Sequence, residues 1–347
     1  NLRKTKDVNE WILIPQNARR QYHKRVLQRP LIKKESEDSP FNRLDLHKSD
    51  LGVITTGLAS SYFLEVADEM PKRPSHLHIG AYPYPAEKIR NLAAHVKKIV
   101  FFEEGFPIVE RAFRGIVPPA IEIAGREDGC VPMEGELNPD IVRRALGLPV
   151  KKGVALEGQP LPGRPPQLCN GCPHIDSYAA LTGALKDFGV TLVTSDIGCY
   201  ALGAMPEYHA IETCVCMGAS VGMAKGAVEA GMSPVTAVIG DSTFFLSVLS
   251  PLLDAVAHNT PMTLLILDNE TVGMTGGQPT ISPSHHLADL VLGLGVNPEH
   301  VHVVAADRKS HEANRTLIRN EIDYQGLSVI ILVRECSETA LRKKARP

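Results

Sequence analysis

Four short runs, at 190–198 (VTLVTSDIG), 235–241 (VTAVIGD), 262–269 (MTLLILDN) and 327–335 (LSVIILVRE), are apolar on both alternating faces and are separated by segments with helical spacing. A strand of that kind must be buried on both sides, which a parallel sheet covered by helices provides and a half-solvated antiparallel sheet does not. Residues 168–347 therefore read as an α/β domain. A similar alternation occupies 47–147: strand LGVITTGL, helix SSYFLEVADEM, strand SHLHIGA, helix PAEKIRNLAAHV, strand KKIVFFEE, and later a helix capped by Asn138 with Pro139 in its first turn. Alternating strands and helices predict a second parallel sheet with right-handed crossovers. Between the two, 148–167 contains five prolines, a density no helix or central strand tolerates, and reads as a linker. Residues 1–46 are polar, with little apolar periodicity, and read as a connector.

Composition removes several function classes. The net charge is −2, with 37 basic and 39 acidic residues interspersed, so no stripe for nucleic acid and no membrane-binding patch is expected. No run reaches the roughly 18 apolar residues of a membrane span, and the first residues lack the apolar core of a signal peptide. Seven cysteines, an odd number, include one C-x-x-C pair, which fits a reducing, cytoplasmic compartment better than a disulfide framework. The chain opens on Asn1 instead of Met, and the expectation is of a piece of a longer protein.

The run ending at Asp241 passes directly into a helical segment, STFFLSVLSPLLDAVAHN. Ligands of open α/β sheets gather at the carboxyl ends of strands, where a helix N-terminus favours an anion. Asp241 by itself reads as a helix cap. The neighbouring run ends at Asn269, followed by Thr271, Gly273, Gly276 and Gly277. A carboxylate, an amide oxygen and a turn carbonyl near Thr271 are hard ligands suited to Mg²⁺, and glycines let backbone close over a diphosphate. Gly218, Gly222 and Gly226 form a small-residue stripe that would let another helix approach.

Cys169 and Cys172 (LCNGCPH), Cys199 (SDIGCY) and Cys336 (VRECSE) fall at strand or domain edges facing one end of the sheet. Four thiolates there could hold one zinc or one [4Fe–4S] cluster, and the first pair could also serve as a thioredoxin-like dithiol. Cys214 and Cys216 read as core, and Cys130 has no partner.

Gly240-Asp241-Ser242 followed by Asp268-Asn269 is similar to the diphosphate-binding motif of thiamine diphosphate enzymes, and VGMTGGQ resembles the matching loop of the 2-oxoacid:ferredoxin oxidoreductases. CNGCPH, SDIGCYALGAMP, ETCVCMGASVGMAKG and ILDNETVGMTGGQP resemble most closely the alpha subunits of the indolepyruvate ferredoxin oxidoreductases. IPQNARRQYHKRVL and LGVITTGLASSY look like the connector and transketolase-C-like domain of that group. The resemblance implies two parallel-sheet α/β domains, transketolase-C-like at 47–147 and thiamine diphosphate-binding (PP-type) at 168–347. It implies Mg²⁺ on Asp241, Asn269 and Thr271; a diphosphate framed by Gly240, Ser242, Gly273, Thr275 and Gly276, with Ile197 and Gly198 beside it; a [4Fe–4S] cluster on Cys169, Cys172, Cys199 and Cys336; and His174 near the reacting centre. The activity implied is oxidative decarboxylation of a 2-oxo acid, of arylpyruvate type, to an acyl-coenzyme A with electrons passed to ferredoxin or another acceptor. Implied partners are a beta subunit in a hetero-oligomer and a pyrimidine-binding domain. That domain would precede this chain or lie on another chain, and a C-terminal ferredoxin-like domain is also expected outside it. Readings from other classes are a non-redox thiamine diphosphate decarboxylase or lyase, and a zinc-stabilised α/β binding module.

Overall fold

The computed structural model describes residues 7, 9–153, 162–281 and 285–345. The chain divides into two compact units, Asn1–Gln159 and Pro160–Pro347. Their boundary falls in the expected linker, of which residues 154–161 lie outside the described residues. Among the described residues no helix is long and apolar enough to cross a membrane.

The N-terminal unit runs α1 (Pro15–Asp38), β1 (Asn42–Asp45), β2 (Leu51–Thr56), α2 (Ala59–Ala67), β3 (Ser75–Ile79), α3 (Ala86–His95), β4 (Lys98–Phe102), α4 (Ile108–Arg114), β5 (Glu122–Ala124) and α5 (Pro139–Ala145). The sheet order is β1-β3-β2-β4-β5. β2, β3, β4 and β5 pair in parallel, whereas β1 lies antiparallel against β3. Two apolar clusters, one containing Phe63 and Phe102 and the other Phe101 and Phe113, form the core. The segment expected as a connector thus contains a long helix and an edge strand. Its helix lacks a sequence signature because its apolar residues are not gathered on one side: Tyr22, Leu27 and Leu31 are exposed, and only Asn17 and Ser36 are buried. Its C-terminal end is tied down by Glu37, which accepts hydrogen bonds from the Glu87 and Lys88 amides at the start of α3.

The C-terminal unit runs α6 (Pro173–Leu185), β6 (Leu192–Ser195), a 3₁₀ turn at Cys199–Ala204, β7 (Thr213–Cys214), α7 (Ala219–Glu229), β8 (Val235–Gly240), α8 (Asp241–Thr243), a π-helical stretch at Phe244–Val248, α9 (Leu249–Ala257), β9 (Met262–Asp268), β10 (Thr271–Val272), β11 (Gln278–Pro279), α10 (His285–Gly293), β12 (Val301–Ala305), α11 (His311–Asp323), β13 (Leu327–Val333) and α12 (Ser337–Ala345). Six strands form one parallel sheet in the order β12-β13-β9-β8-β6-β7. Every residue of β8 and β9 is buried, as strands sandwiched between helices must be. From β6 the chain steps outward to β7 and then crosses back to β8 on β6's other side. The carboxyl ends of β6 and β8 therefore flank a topological switch point, where open α/β sheets form their ligand crevice.

Two local expectations are corrected. The helix after Asp241 is not uniformly α: its π stretch inserts an extra residue of turn, a feature that clusters at functional sites. The glycine stripe of α7 is close-packed only at its start: a β-carbon on Gly218 would collide with the Ser247 side chain of the π stretch, whereas one on Gly222 or Gly226 would touch nothing within 4 Å.

Candidate cofactor site

A pocket of about 140 Å³ opens at the switch point. Its walls include Ile197 and Gly198 after β6, Gly240, Asp241 and Ser242 after β8, Asn269, Thr271, Gly273 and Thr275 after β9, and His174 from α6. Parallel pairing of Gly240 with Leu267 brings the ends of β8 and β9 level, so residues distant in sequence meet. Asp241 is 3% exposed. Burial and then the neighbouring Asp268 push its carboxyl up to about 7. Its Oδ2 and the Ser242 hydroxyl are buried with no hydrogen-bond partner, and buried polar atoms left in that state cost free energy unless a ligand satisfies them. Orphaned oxygens at the end of a buried strand fit a metal and a diphosphate.

Asn269 connects three segments. Its side-chain Oδ1 accepts from the Thr271 amide at 3.2 Å, its Nδ2 lies 3.3 Å from His174 Nε2, and its carbonyl accepts from the Cys336 amide at 3.1 Å. His174 is buried, and burial, with Arg334 adding to it, lowers its pKa to about 4, so the ring is neutral near pH 7. Gly276 is the one expected diphosphate residue outside this pocket. The loop turns away after Thr275, with φ of 128° at Gly276 and 81° at Gly277, and the Gly276 carbonyl accepts from Arg342 instead.

The four cysteines face one cavity. Cys169, Cys172, Cys199 and Cys336 all line a second cavity of about 90 Å³, and Cys199, Asn269 and Gly273 line both cavities. A methyl on Gly273 would lie 3.3 Å from the Cys199 sulfur and 3.9 Å from that of Cys336. Cys172 is buried, and burial, reinforced by the other three thiols, pushes its pKa up to about 11. Among the described residues no three His, Cys, Asp or Glu side chains already stand as a metal-binding group. Four thiols around one cavity are the kind of donors that a cluster or a zinc ion would require. Cys214 and Cys216 are exposed, not core; Cys214 ends the two-residue edge strand β7 and Cys216 follows it.

Sequence reasoning missed three residues that shape this site. Arg334 donates to Asp176 at 2.6 Å and to the Gly171 carbonyl at 3.3 Å, fastening the cysteine loop to the end of β13. Asp196 and Tyr200 are buried between the pocket and α7. Asp196 stood inside the quoted SDIGCY motif, and a buried acid after an apolar strand was the available signal.

Residues 196–321 match the family model described as thiamine pyrophosphate enzyme, C-terminal TPP binding domain. The chain is 32% identical to indolepyruvate oxidoreductase subunit IorA of Archaeoglobus fulgidus, over 96% of this chain and 56% of that protein. It is 31% identical to the IorA subunit of Methanothermobacter thermautotrophicus, over 99% of this chain and 58% of that one. The chain is a relative of the IorA subunits. It spans a little over half the length of these relatives. A 2-oxoglutarate:ferredoxin oxidoreductase from Magnetococcus marinus aligns with 50% of this chain and 65% of its own at a TM-score of 0.44 and 19% identity, too distant a likeness to argue from. The TPP-domain match lies wholly within the C-terminal unit and its parallel sheet.

Proposed function

We propose that this chain is the thiamine diphosphate-binding part of a 2-oxoacid:ferredoxin oxidoreductase acting on arylpyruvates such as indolepyruvate in the cytoplasm. The reaction converts a 2-oxo acid and coenzyme A to an acyl-coenzyme A and carbon dioxide, and passes two electrons to ferredoxin. The carrying observation is the wall shared by two cavities: Cys199, Asn269 and Gly273 face both the pocket with the orphaned Asp241 oxygen and the cavity lined by four cysteines. A cofactor on one side would lie one residue away from a cluster on the other.

In this reading Asp241, Asn269 and Thr271 hold Mg²⁺, and Gly240, Ser242, Gly273 and Thr275 surround the diphosphate. Cys169, Cys172, Cys199 and Cys336 hold the [4Fe–4S] cluster. When bound, thiamine diphosphate supplies an electron sink that lets a 2-oxo acid lose carbon dioxide. His174, neutral and bonded to Asn269, keeps the Cys172 loop in register with the metal-binding side chain and presents an uncharged ring to the pocket. Among the described residues no Lys or Arg lines the pocket, which suits an apolar 2-oxo acid over a dicarboxylic one. A beta subunit and a pyrimidine-binding domain, in a hetero-oligomer, complete the enzyme; the printed name of the relatives, a subunit, supports a partner chain.

Anaerobic purification of the holoenzyme with iron, acid-labile sulfide and zinc analysis tests this, alongside coenzyme A-dependent dye reduction by indolepyruvate. About four irons and four sulfides per chain are expected from this site. Stoichiometric zinc would favour a binding module, and a colourless protein that still decarboxylates would favour a non-redox lyase.

A further inference from the structure

Asp196 has no part in the cofactor contacts above, yet it is completely buried and accepts hydrogen bonds from three residues in two segments. Its Oδ1 takes the Tyr200 hydroxyl. Its Oδ2 takes the Ser220 hydroxyl at 2.7 Å and the Gly218 amide at 3.1 Å, at the start of α7. Tyr200 in turn grips both sides of Asp241. Its ring lies against Gly240, where any β-carbon would collide with it, and against Gly198 in the same way. Its phenol oxygen sits 3.2 Å from the Thr243 hydroxyl. Gly240 and Thr243 bracket Asp241 and Ser242, and Tyr200 directly follows Cys199.

We propose that Asp196 and Tyr200 are positioning residues that fix the Gly240–Thr243 turn, and with it the Asp241 carboxylate, against the Cys199 loop. The ring sets the separation of the two loops, since it fills the space that glycine leaves at 198 and 240. The carboxylate then locks the ring's rotation through a charge-assisted hydrogen bond in a buried setting, the strong kind. Asp241 contributes to Mg²⁺ affinity only if its oxygens point into the pocket, and the two Tyr200 contacts determine that direction. This inference rests on the proposed thiamine diphosphate site.

The test is the affinity of the assembled holoenzyme, stripped and reloaded, for Mg²⁺–thiamine diphosphate, measured by calorimetry beside melting of the cofactor-free protein. Tyr200→Phe removes only the hydroxyl and Asp196→Asn keeps an acceptor; Ser195→Ala, which deletes the neighbouring buried hydroxyl bonded to the Val238 carbonyl, is the control for a purely structural loss. Tyr200→Phe and Asp196→Asn are each expected to weaken binding about tenfold or more, with the double variant no weaker than the worse single one, as coupled partners require. Ser195→Ala is expected to lower the melting temperature comparably without changing affinity. Tyr200→Phe binding as tightly as the parent, or additive losses in the double variant, would overturn the positioning role alone. A parent that binds no thiamine diphosphate would overturn the site assignment and this inference with it.

Discussion

Asp241 is held where its surroundings penalise it. The carboxyl is buried beside another acid, with one oxygen unpartnered, an arrangement tolerated when a ligand later supplies the missing contacts. Asp241→Asn should therefore raise the stability of the cofactor-free protein by about 1–3 kcal/mol while weakening Mg²⁺–thiamine diphosphate binding by about a hundredfold, roughly 2.7 kcal/mol; denaturant melts and calorimetry on one preparation measure both. His76 carries the acid sensitivity of the N-terminal unit. Its ring is buried, bonded to the Thr55 hydroxyl at 2.8 Å, and burial lowers its pKa from 6.5 to about 3. The unfolded chain takes up a proton below about pH 6.5 while the folded state stays neutral to about pH 3, so stability is present above 6.5 and lost as pH falls through that window. Between pH 6.5 and 5 this single residue should cost up to about 2 kcal/mol, and His76→Gln should flatten the urea-midpoint profile over that range. At this scale short motifs singled out Asp241, Asn269 and the four cysteines, and the structure places them around two adjoining cavities. Tyr200 was not legible in this way, since its partners Asp196, Gly240 and Thr243 are spread over some forty positions and only the parallel register gathers them.

Among the elements, those written in the period of their apolar residues came through the sequence clearly. The buried strands β8, β9 and β13 carry unbroken apolar runs, and α5 announces itself by Asn138, whose side chain accepts from the Ile141 amide at 3.0 Å, ahead of Pro139. Asn138→Ala should cost the N-terminal unit about 1 kcal/mol, read as a lowered unfolding midpoint. α1 was illegible because its apolar side chains do not line one face, and the π turn at Phe244–Val248 because nothing in an apolar helical run marks the extra residue. Within that turn Phe244 and Val248 are buried while Leu246 is exposed and lines the pocket. Of the glycine stripe at α7 only Gly218 is closely met, by Ser247; Gly222 and Gly226 permit a close neighbour without having one.

The whole molecule divides into two units, each with apolar clusters of its own. Scanning calorimetry of the cofactor-free chain should resolve two transitions. Mg²⁺–thiamine diphosphate at a hundred times its dissociation constant should stabilise the C-terminal one by about 2.7 kcal/mol and leave the other in place. Both sheets could be foreseen from alternating strand and helix patterns; the antiparallel β1 could not, because its four residues (NRLD) hold a single apolar side chain, Leu44, and carry no strand period. One feature of the C-terminal unit bears on how such a protein can change over time. Gly273, Asn269 and Cys199 belong to the walls of both cavities, so a substitution at any of them alters two chambers at once, and on the proposed reading the two sites are constrained to drift together.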